Sequence, residues 1–208
     1  MLETASLAFV ALLVTIDPIG LVPIFLALTP LETAANRHRT ALKGVAIGGC
    51  ILLVFALMGE PGLRTLGISI PAFRIAGGIT LLLLAVEMVF ERRGERREST
   101  AGRMADEHDP GGVAAFPLAM PLVAGPAAIT TVILQMSRQQ GDLAGQATVL
   151  LALFAALAVT GAALVAASYL GRVLKPTLVR VLSRLLGLLM AALSVQFVID
   201  GVKEAFGV

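Results

Sequence analysis

The stretch TIDPIGLVPIF, residues 15–25, decides the fold, because it places an acid, two prolines and a glycine inside an otherwise aliphatic segment. Proline donates no amide hydrogen and clashes with the carbonyl four residues earlier, so Pro18 and Pro23 interrupt a helix. Asp17 followed by Pro18 is also the pattern of a helix N-cap with proline at the first helical position. We therefore expect two half-helices that meet at Asp17.

The composition around this stretch is that of a membrane protein. Of the 208 residues, 57% are hydrophobic and 14% are charged, whereas soluble domains carry about 25% charged residues. Apolar runs recur that are long enough to cross about 30 Å of hydrocarbon as helices. They predict an all-α polytopic membrane protein with six transmembrane helices, near residues 4–28, 42–60, 67–90, 113–136, 146–170 and 183–206.

The basic residues predict the orientation of these spans. Twelve of the 16 Lys and Arg residues lie in the connections 30–43, 91–112 and 171–184, which all fall on one side of the membrane. Cytoplasmic connections carry the excess of positive charge in membrane proteins. We therefore expect a multi-pass membrane protein with both termini outside the cytoplasm.

An internal similarity divides the chain into two halves. The stretch DPIGLVPIFLAL (17–28) aligns with GPAAITTVILQM (125–136), each with a proline and small residues in the middle of a span. Because each half holds three spans, the second copy must insert upside down, as in many secondary transporters. The sequence predicts two inverted three-helix repeats, 1–90 and 113–208, joined by a charged cytoplasmic linker at 91–112, with the first and fourth helices broken at the membrane midplane.

The two predicted breaks suggest a binding site for a small zwitterion. Gly125 has no side chain to occupy the amides at the start of the following half-helix, so that helix end is open to a carboxylate. Asp17 supplies an acid for an ammonium group, and it is also the candidate residue for coupling to a proton. The candidate substrate-binding residues are Asp17, Pro18, Gly20, Pro23, Gly125, Pro126, Ala127, Ala128, Thr130 and Thr131.

At these residues the chain resembles the MarC/SnatA family of six-span inner-membrane proteins of bacteria and archaea, and the resemblance implies a multi-pass protein of a bacterial or archaeal inner membrane. The similarity rests on DPIGLVPIFLALT and PLAMPLVAGPAAITT and extends in motif order over nearly the whole chain. Some members are similar to transporters of neutral amino acids, so the resemblance implies transport of glycine- or alanine-like substrates. Two positions depart from the family pattern, since Leu21 stands where asparagine is usual and Ala127 where glycine is frequent.

We expect a secondary transporter of small neutral amino acids, driven by a proton or sodium gradient. An exporter of amino acids or other small metabolites, or a membrane scaffold without transport, are the alternatives. The sequence predicts no enzyme, cofactor or metal site, because its two histidines lie in predicted loops without suitably spaced partners, and a net charge of +2 gives no reason to expect nucleic acid.

Small residues and isolated charges in the spans complete the expectations. Gly44, Gly48, Gly49, Gly77 and Gly78 are expected to form packing faces between helices, and such faces also make a homodimer plausible. Contacts with membrane lipids are expected along the outer faces of the spans. Arg74 is expected to be an anchor at the membrane interface, and Asp200, near the end of a span, is expected to have a solvated interfacial position.

Overall fold

The computed structural model describes residues 2–30, 32–90, 114–170 and 176–207, and this part of the chain contains helices and no β-strand. A single 10-residue segment forms a π-helix, π1, and the other helices are α-helices. In chain order they are α1 (Leu2–Ile16), α2 (Pro18–Leu28), α3 (Ala34–Thr65), α4 (Ile70–Val89), π1 (Ala114–Val123), α5 (Pro126–Arg138), α6 (Leu143–Leu170) and α7 (Pro176–Phe206).

Five segments of the described chain are long and apolar enough to cross a membrane. They are Leu2–Leu28, Ala34–Thr65, Ile70–Val89, Leu143–Tyr169 and Val181–Phe206. The predicted fourth span, 113–136, is not one continuous helix but is divided into π1, of 10 residues, and α5, of 13 residues. Neither piece alone has the roughly 20 residues that a spanning helix needs, so six spans stay a prediction.

Several helices extend beyond the predicted apolar runs. The second span was predicted at 42–60, yet α3 covers Ala34–Thr65 and is about 48 Å long at 1.5 Å per residue. The basic residues Arg37, Arg39 and Lys43 therefore lie in its first turns and not in a loop. The prediction was too short because it was based on the apolar run, which ends at the first charged residues, whereas the helix continues through them. The predicted linker 91–112 lies outside the described residues.

Arg37 ties the start of α3 to the end of α2. Its Nε donates a hydrogen bond of 2.8 Å to the carbonyl oxygen of Thr29, and its Nη2 donates one of 3.2 Å to that of Pro30. The last carbonyls of a helix have no partner within the helix. This side chain satisfies such a carbonyl and fixes the tight connection between the two helices.

The helices pack in pairs that relate the two halves of the chain. The first segment, α1 with α2, packs on α6, while π1 and α5 pack on α3. In each pairing the first segment of one half contacts the second segment of the other half. The largest contact joins α4 to α7, the third segment of each half.

Glycines allow these helices to approach closely, as the sequence predicts. A Cβ on Gly78 of α4 would lie 2.8 Å from the carbonyl oxygen of Ser194 in α7. A Cβ on Gly48 of α3 would lie 2.7 Å from Cγ1 of Val123 in π1. Both separations are shorter than real Cβ contacts, so only glycine fits. These small-residue faces are used within one chain.

The helices α1 and α5 lie at the centre of the core. Buried residues form two clusters, one joining α1, α2, α3, π1, α5 and α6, the other joining α1, α4, α5 and α7. Only α1 and α5 contribute to both clusters; Val14 and Ala127, for example, belong to the second. One helix beside each break therefore contributes buried residues to both clusters.

Candidate functional site

The first helix break occurs at Asp17, as the sequence predicts. Asp17 has φ 60° and ψ 65°, a left-handed conformation that Asp and Asn adopt more readily than most residues. Its amide still donates to the carbonyl of Leu13 at 2.9 Å, and its carbonyl accepts from the amide of Leu21 at 3.0 Å. One residue thus turns the chain from α1 into α2 while keeping backbone hydrogen bonds on both sides.

The Asp17 carboxylate caps the helix that it starts. Oδ1 accepts a hydrogen bond of 3.1 Å from the amide of Gly20, and the residue is only 4% exposed. A negative group at this position also interacts favourably with the positive end of the helix dipole. The acid is therefore held inside the protein by the start of α2.

The second break lies at Ala124 and Gly125. The amide of Ala124 donates to the carbonyl of Ala119, five residues earlier, at 2.9 Å, and α5 begins when the amide of Ile129 donates to the carbonyl of Gly125 at 3.0 Å. Gly125 provides no side-chain hydrogen bond to α5. A Cβ there would lie 2.6 Å from the carbonyl oxygen of Pro121, so the close turn requires glycine.

The two breaks differ in what covers the helix start. The first turn of α2 is covered by the carboxylate of its own N-cap, Asp17. The first turn of α5 begins at Gly125 and has no side-chain cap, although first-turn amides find no partner within a helix. One break therefore presents a negative group, and the other presents a helix start suited to an anion.

Both breaks are enclosed by the same buried cluster. Ile16 and Leu21 lie on either side of Asp17, while Ala124 and Ala128 lie on either side of Gly125, and all four belong to this cluster. In addition α1 packs directly against α5. The structure thus brings into one core two backbone interruptions that are more than 100 positions apart in the sequence.

The candidate residues differ in their exposure. Buried are Asp17, Pro18, Gly125, Ala127, Ala128 and Thr131; half-buried are Gly20 and Thr130; exposed are Pro23 and Pro126. The exposed rings of Pro23 and Pro126 do not lie in the enclosed site. A proline affects a break through its fixed φ and missing amide hydrogen, and neither effect requires its ring to face a ligand.

The adjacent threonines Thr130 and Thr131 have different surroundings. Gly77 of α4 is so close to Thr130 that a Cβ on Gly77 would lie 2.6 Å from Cγ2 of this threonine. The Thr130 methyl group therefore packs on α4. Thr131 is 0% exposed, and its Oγ1 has no hydrogen-bond partner among the described residues.

Sequence reasoning missed a set of ion pairs at one end of α4, α5 and α7. Arg138 pairs with Asp200, and its guanidinium carbon lies 4.6 Å from the ring centroid of Phe197. Arg74 pairs with Glu204 at 2.5 Å and is buried; its expected place as an anchor at the membrane interface stays a prediction. The only signal in the sequence was the presence of charges inside apolar runs, where unpaired charge is costly.

Comparison with known proteins identifies relatives over nearly the full chain. The family model described as MarC family integral membrane protein matches residues 2–206. A UPF0056 membrane protein of Methanocaldococcus jannaschii is 38% identical over 98% of both chains. The UPF0056 membrane protein YhcE of Escherichia coli is 32% identical over 95% of this chain and 91% of its own. One from Pyrococcus abyssi is 32% identical over 100% of this chain and 98% of its own. No solved structure is significantly similar.

Proposed function

This chain is a member of the MarC family of integral membrane proteins, and we propose that it is a secondary transporter of small neutral amino acids such as glycine and alanine. The substrate binds between the break at Asp17 and the break at Gly125. The observation that carries the proposal is that one buried cluster encloses both breaks. Interrupted helices in a membrane are tolerated where they face protein or a cavity, and they form the substrate sites of many transporters.

The groups at the two breaks complement the two ends of an amino acid. The start of α5, without a side-chain cap, suits the carboxylate. The carboxylate of Asp17 suits the ammonium group. An amino acid bears both groups two bonds apart on one carbon, so a single small molecule satisfies both helix breaks if they face one another.

The residues around the second break favour a small substrate. Gly125 is followed by Pro126, and then by Ala127 and Ala128, which are buried. Their side chains are methyl groups, whereas larger side chains would cover the backbone of the first turn. This favours glycine and alanine over amino acids with bulky side chains.

Asp17 is the proposed coupling residue. It is an acid 4% exposed inside a membrane protein, and such residues commonly serve ion pathways or proton relays. Binding of a proton or a sodium ion to its carboxylate neutralises the buried charge. We propose that this step drives the substrate across the inner membrane. Because the site residues are buried, a relative movement of helices must open the site to each side in turn.

We also propose that the fold consists of two inverted three-helix repeats, 1–90 and 113–208, with π1 and α5 together forming a sixth span. The support is the pairing of helices: α1 with α2 packs on α6, α3 packs on π1 with α5, and α4 packs on α7. A twofold relation between the halves produces this pattern. With six spans both termini lie on the same side of the membrane, and the basic connections favour the side outside the cytoplasm.

The proposed function is tested by uptake of radiolabelled glycine and alanine into proteoliposomes. A proton gradient and, separately, a sodium gradient are imposed, with empty liposomes as the control. We expect uptake above the control that increases with one of the two gradients. If correctly folded protein takes up neither amino acid under any gradient, the proposed function is wrong.

A further inference from the structure

The hydroxyl of Thr131 is an exception among the buried hydroxyls of this protein. Thr131 is 0% exposed, yet its Oγ1 makes no hydrogen bond to the described part of the protein. Leaving a buried polar group without a partner is unfavourable. A hydroxyl in this situation points to a partner that is not part of the chain.

The other buried hydroxyls show what Thr131 does not do. Among the described residues, the six other buried serines and threonines each donate to a backbone carbonyl three or four residues earlier: Thr15, Thr29, Ser137, Thr160, Ser168 and Ser194. Thr160, for example, donates to Ala156 at 2.8 Å. The equivalent acceptor for Thr131 is the carbonyl of Ala127, four residues earlier. Thr131 does not use it, although this bond is the usual one for a threonine within a helix.

The side chain of Thr131 leans toward the start of α5. Thr131 follows Ala127 by four residues and Ala128 by three, so the three side chains lie on one face of the helix. Side chains on a helix lean toward its N-terminus. The Thr131 side chain therefore leans toward the first turn of α5, where the neighbouring side chains of Ala127 and Ala128 are methyl groups.

We propose that Thr131 is a specificity-determining residue whose hydroxyl donates a hydrogen bond to the carboxylate of the bound amino acid. The first-turn amides of α5 bind the same carboxylate. This inference rests on the proposed function and deepens it, because it assigns carboxylate recognition to one side chain. Thr130, whose methyl group packs on Gly77, takes no part in binding.

Two effects of opposite sign distinguish ligand recognition from a structural role. Thr131→Val keeps the shape of the side chain and removes the hydroxyl. In the ligand-free protein this removes a buried polar group without a partner, so the variant is expected to melt about 2–4 °C higher than the wild type. Its affinity for glycine and alanine should fall by about tenfold or more, because a hydrogen bond to a charged group is lost.

The experiment measures thermal unfolding of the detergent-solubilised protein with and without saturating glycine or alanine. Thr131→Ser, which retains a hydroxyl, should keep the ligand-induced increase in Tm, and Thr130→Val should behave as the wild type. If the wild type is stabilised by glycine or alanine and Thr131→Val is stabilised equally, the inference fails while the proposed function stands.

Two further outcomes also decide the inference. A lower Tm of ligand-free Thr131→Val would show that the hydroxyl stabilises the protein itself, and this would overturn the inference. If neither amino acid stabilises the wild type, the proposed function and the inference fall together.

Discussion

The carboxylate of Asp17 occupies the space in which a side chain on Gly20 would lie. A Cβ on Gly20 would stand 2.3 Å from Oδ2 of Asp17 and 2.8 Å from its Cγ. The amide of Gly20 donates to Oδ1 of the same carboxylate at 3.1 Å. The acid and the glycine of the DPIG motif therefore form one unit, in which the glycine gives both the space and the hydrogen bond that hold the acid at the helix break.

Gly20→Ala is expected to displace the Asp17 carboxylate from the start of α2. The added methyl group requires the short side chain of Asp17 to move, and loss of an N-cap hydrogen bond costs about 1 kcal/mol. We expect a lower Tm together with reduced uptake of glycine. Gly62→Ala in α3 is the matched control, because a Cβ there meets nothing within 4 Å, and it should leave uptake unchanged. Equal uptake by both variants would refute the link between Gly20 and the acid.

Asp17→Asn and Asp17→Ala separate the charge of Asp17 from its structural role. Asparagine tolerates the left-handed conformation and accepts the same N-cap bond, so Asp17→Asn should unfold within about 1 kcal/mol of the wild type. Alanine loses the cap, at a cost of about 1–2 kcal/mol, and adds about 1–2 kcal/mol of backbone strain. Thermal unfolding of both variants checks this order, and an equal loss of stability would contradict it.

Gly78→Ala is expected to weaken the contact between α4 and α7. The new Cβ would lie 2.8 Å from the Ser194 carbonyl oxygen, which belongs to the backbone and cannot turn aside, so the helices must separate. Such overpacking costs about 1–3 kcal/mol. Gly161→Ala in α6 is the control, since its Cβ would meet only Cγ1 of Val45, at 3.9 Å. If both variants have the same Tm in detergent, the close α4–α7 approach is not a source of stability.

The ion pair between Arg138 and Asp200 is expected to stabilise the packing of α5 on α7. Both side chains are half-buried, with relative exposures of 22% and 28%, so loss of one partner should cost about 1–3 kcal/mol. Arg138→Met and Asp200→Asn, alone and combined, form a double-mutant cycle in thermal unfolding, and their effects should not add.

Arg64→Met is the control for that cycle. Arg64 pairs with Glu60 at 2.9 Å, but its side chain is 62% exposed, and exposed pairs contribute about 0–1 kcal/mol. The expectation is contradicted if the Arg138 and Asp200 substitutions lower the stability additively and each by no more than Arg64→Met. In that case the pair between Arg138 and Asp200 contributes no more to stability than an exposed pair.

The helix breaks could be predicted from the sequence because their causes are local. Asp17 with Pro18, and Gly125 with Pro126, determine the backbone at their own positions through capping, the fixed φ of proline and the missing amide hydrogen. The ends of the helices were harder to predict from the sequence. The apolar windows stopped at charged residues such as Lys43, whereas α3 extends back to Ala34, because charged side chains at a helix end reach water without ending the helix.

The side-chain partners could not be predicted because they depend on packing. Arg74 and Glu204 are 130 positions apart in the sequence, and Arg138 and Asp200 are 62 positions apart. Thr130 and Thr131 are equivalent in the sequence, and they are distinguished only in the structure, where Thr130 packs on Gly77 and Thr131 is fully buried. The sequence likewise gave no reason to separate the exposed ring of Pro23 from the buried residue Pro18.

The most direct test of the central claim is uptake of labelled glycine by proteoliposomes containing equal amounts of wild-type protein or the Asp17→Asn variant, with the driving gradient imposed. The claim predicts gradient-driven uptake by the wild type and uptake at the level of empty liposomes by a variant whose unfolding temperature shows that it is folded. Uptake by Asp17→Asn equal to that of the wild type would show that the buried acid at the first helix break neither binds the substrate nor couples its transport.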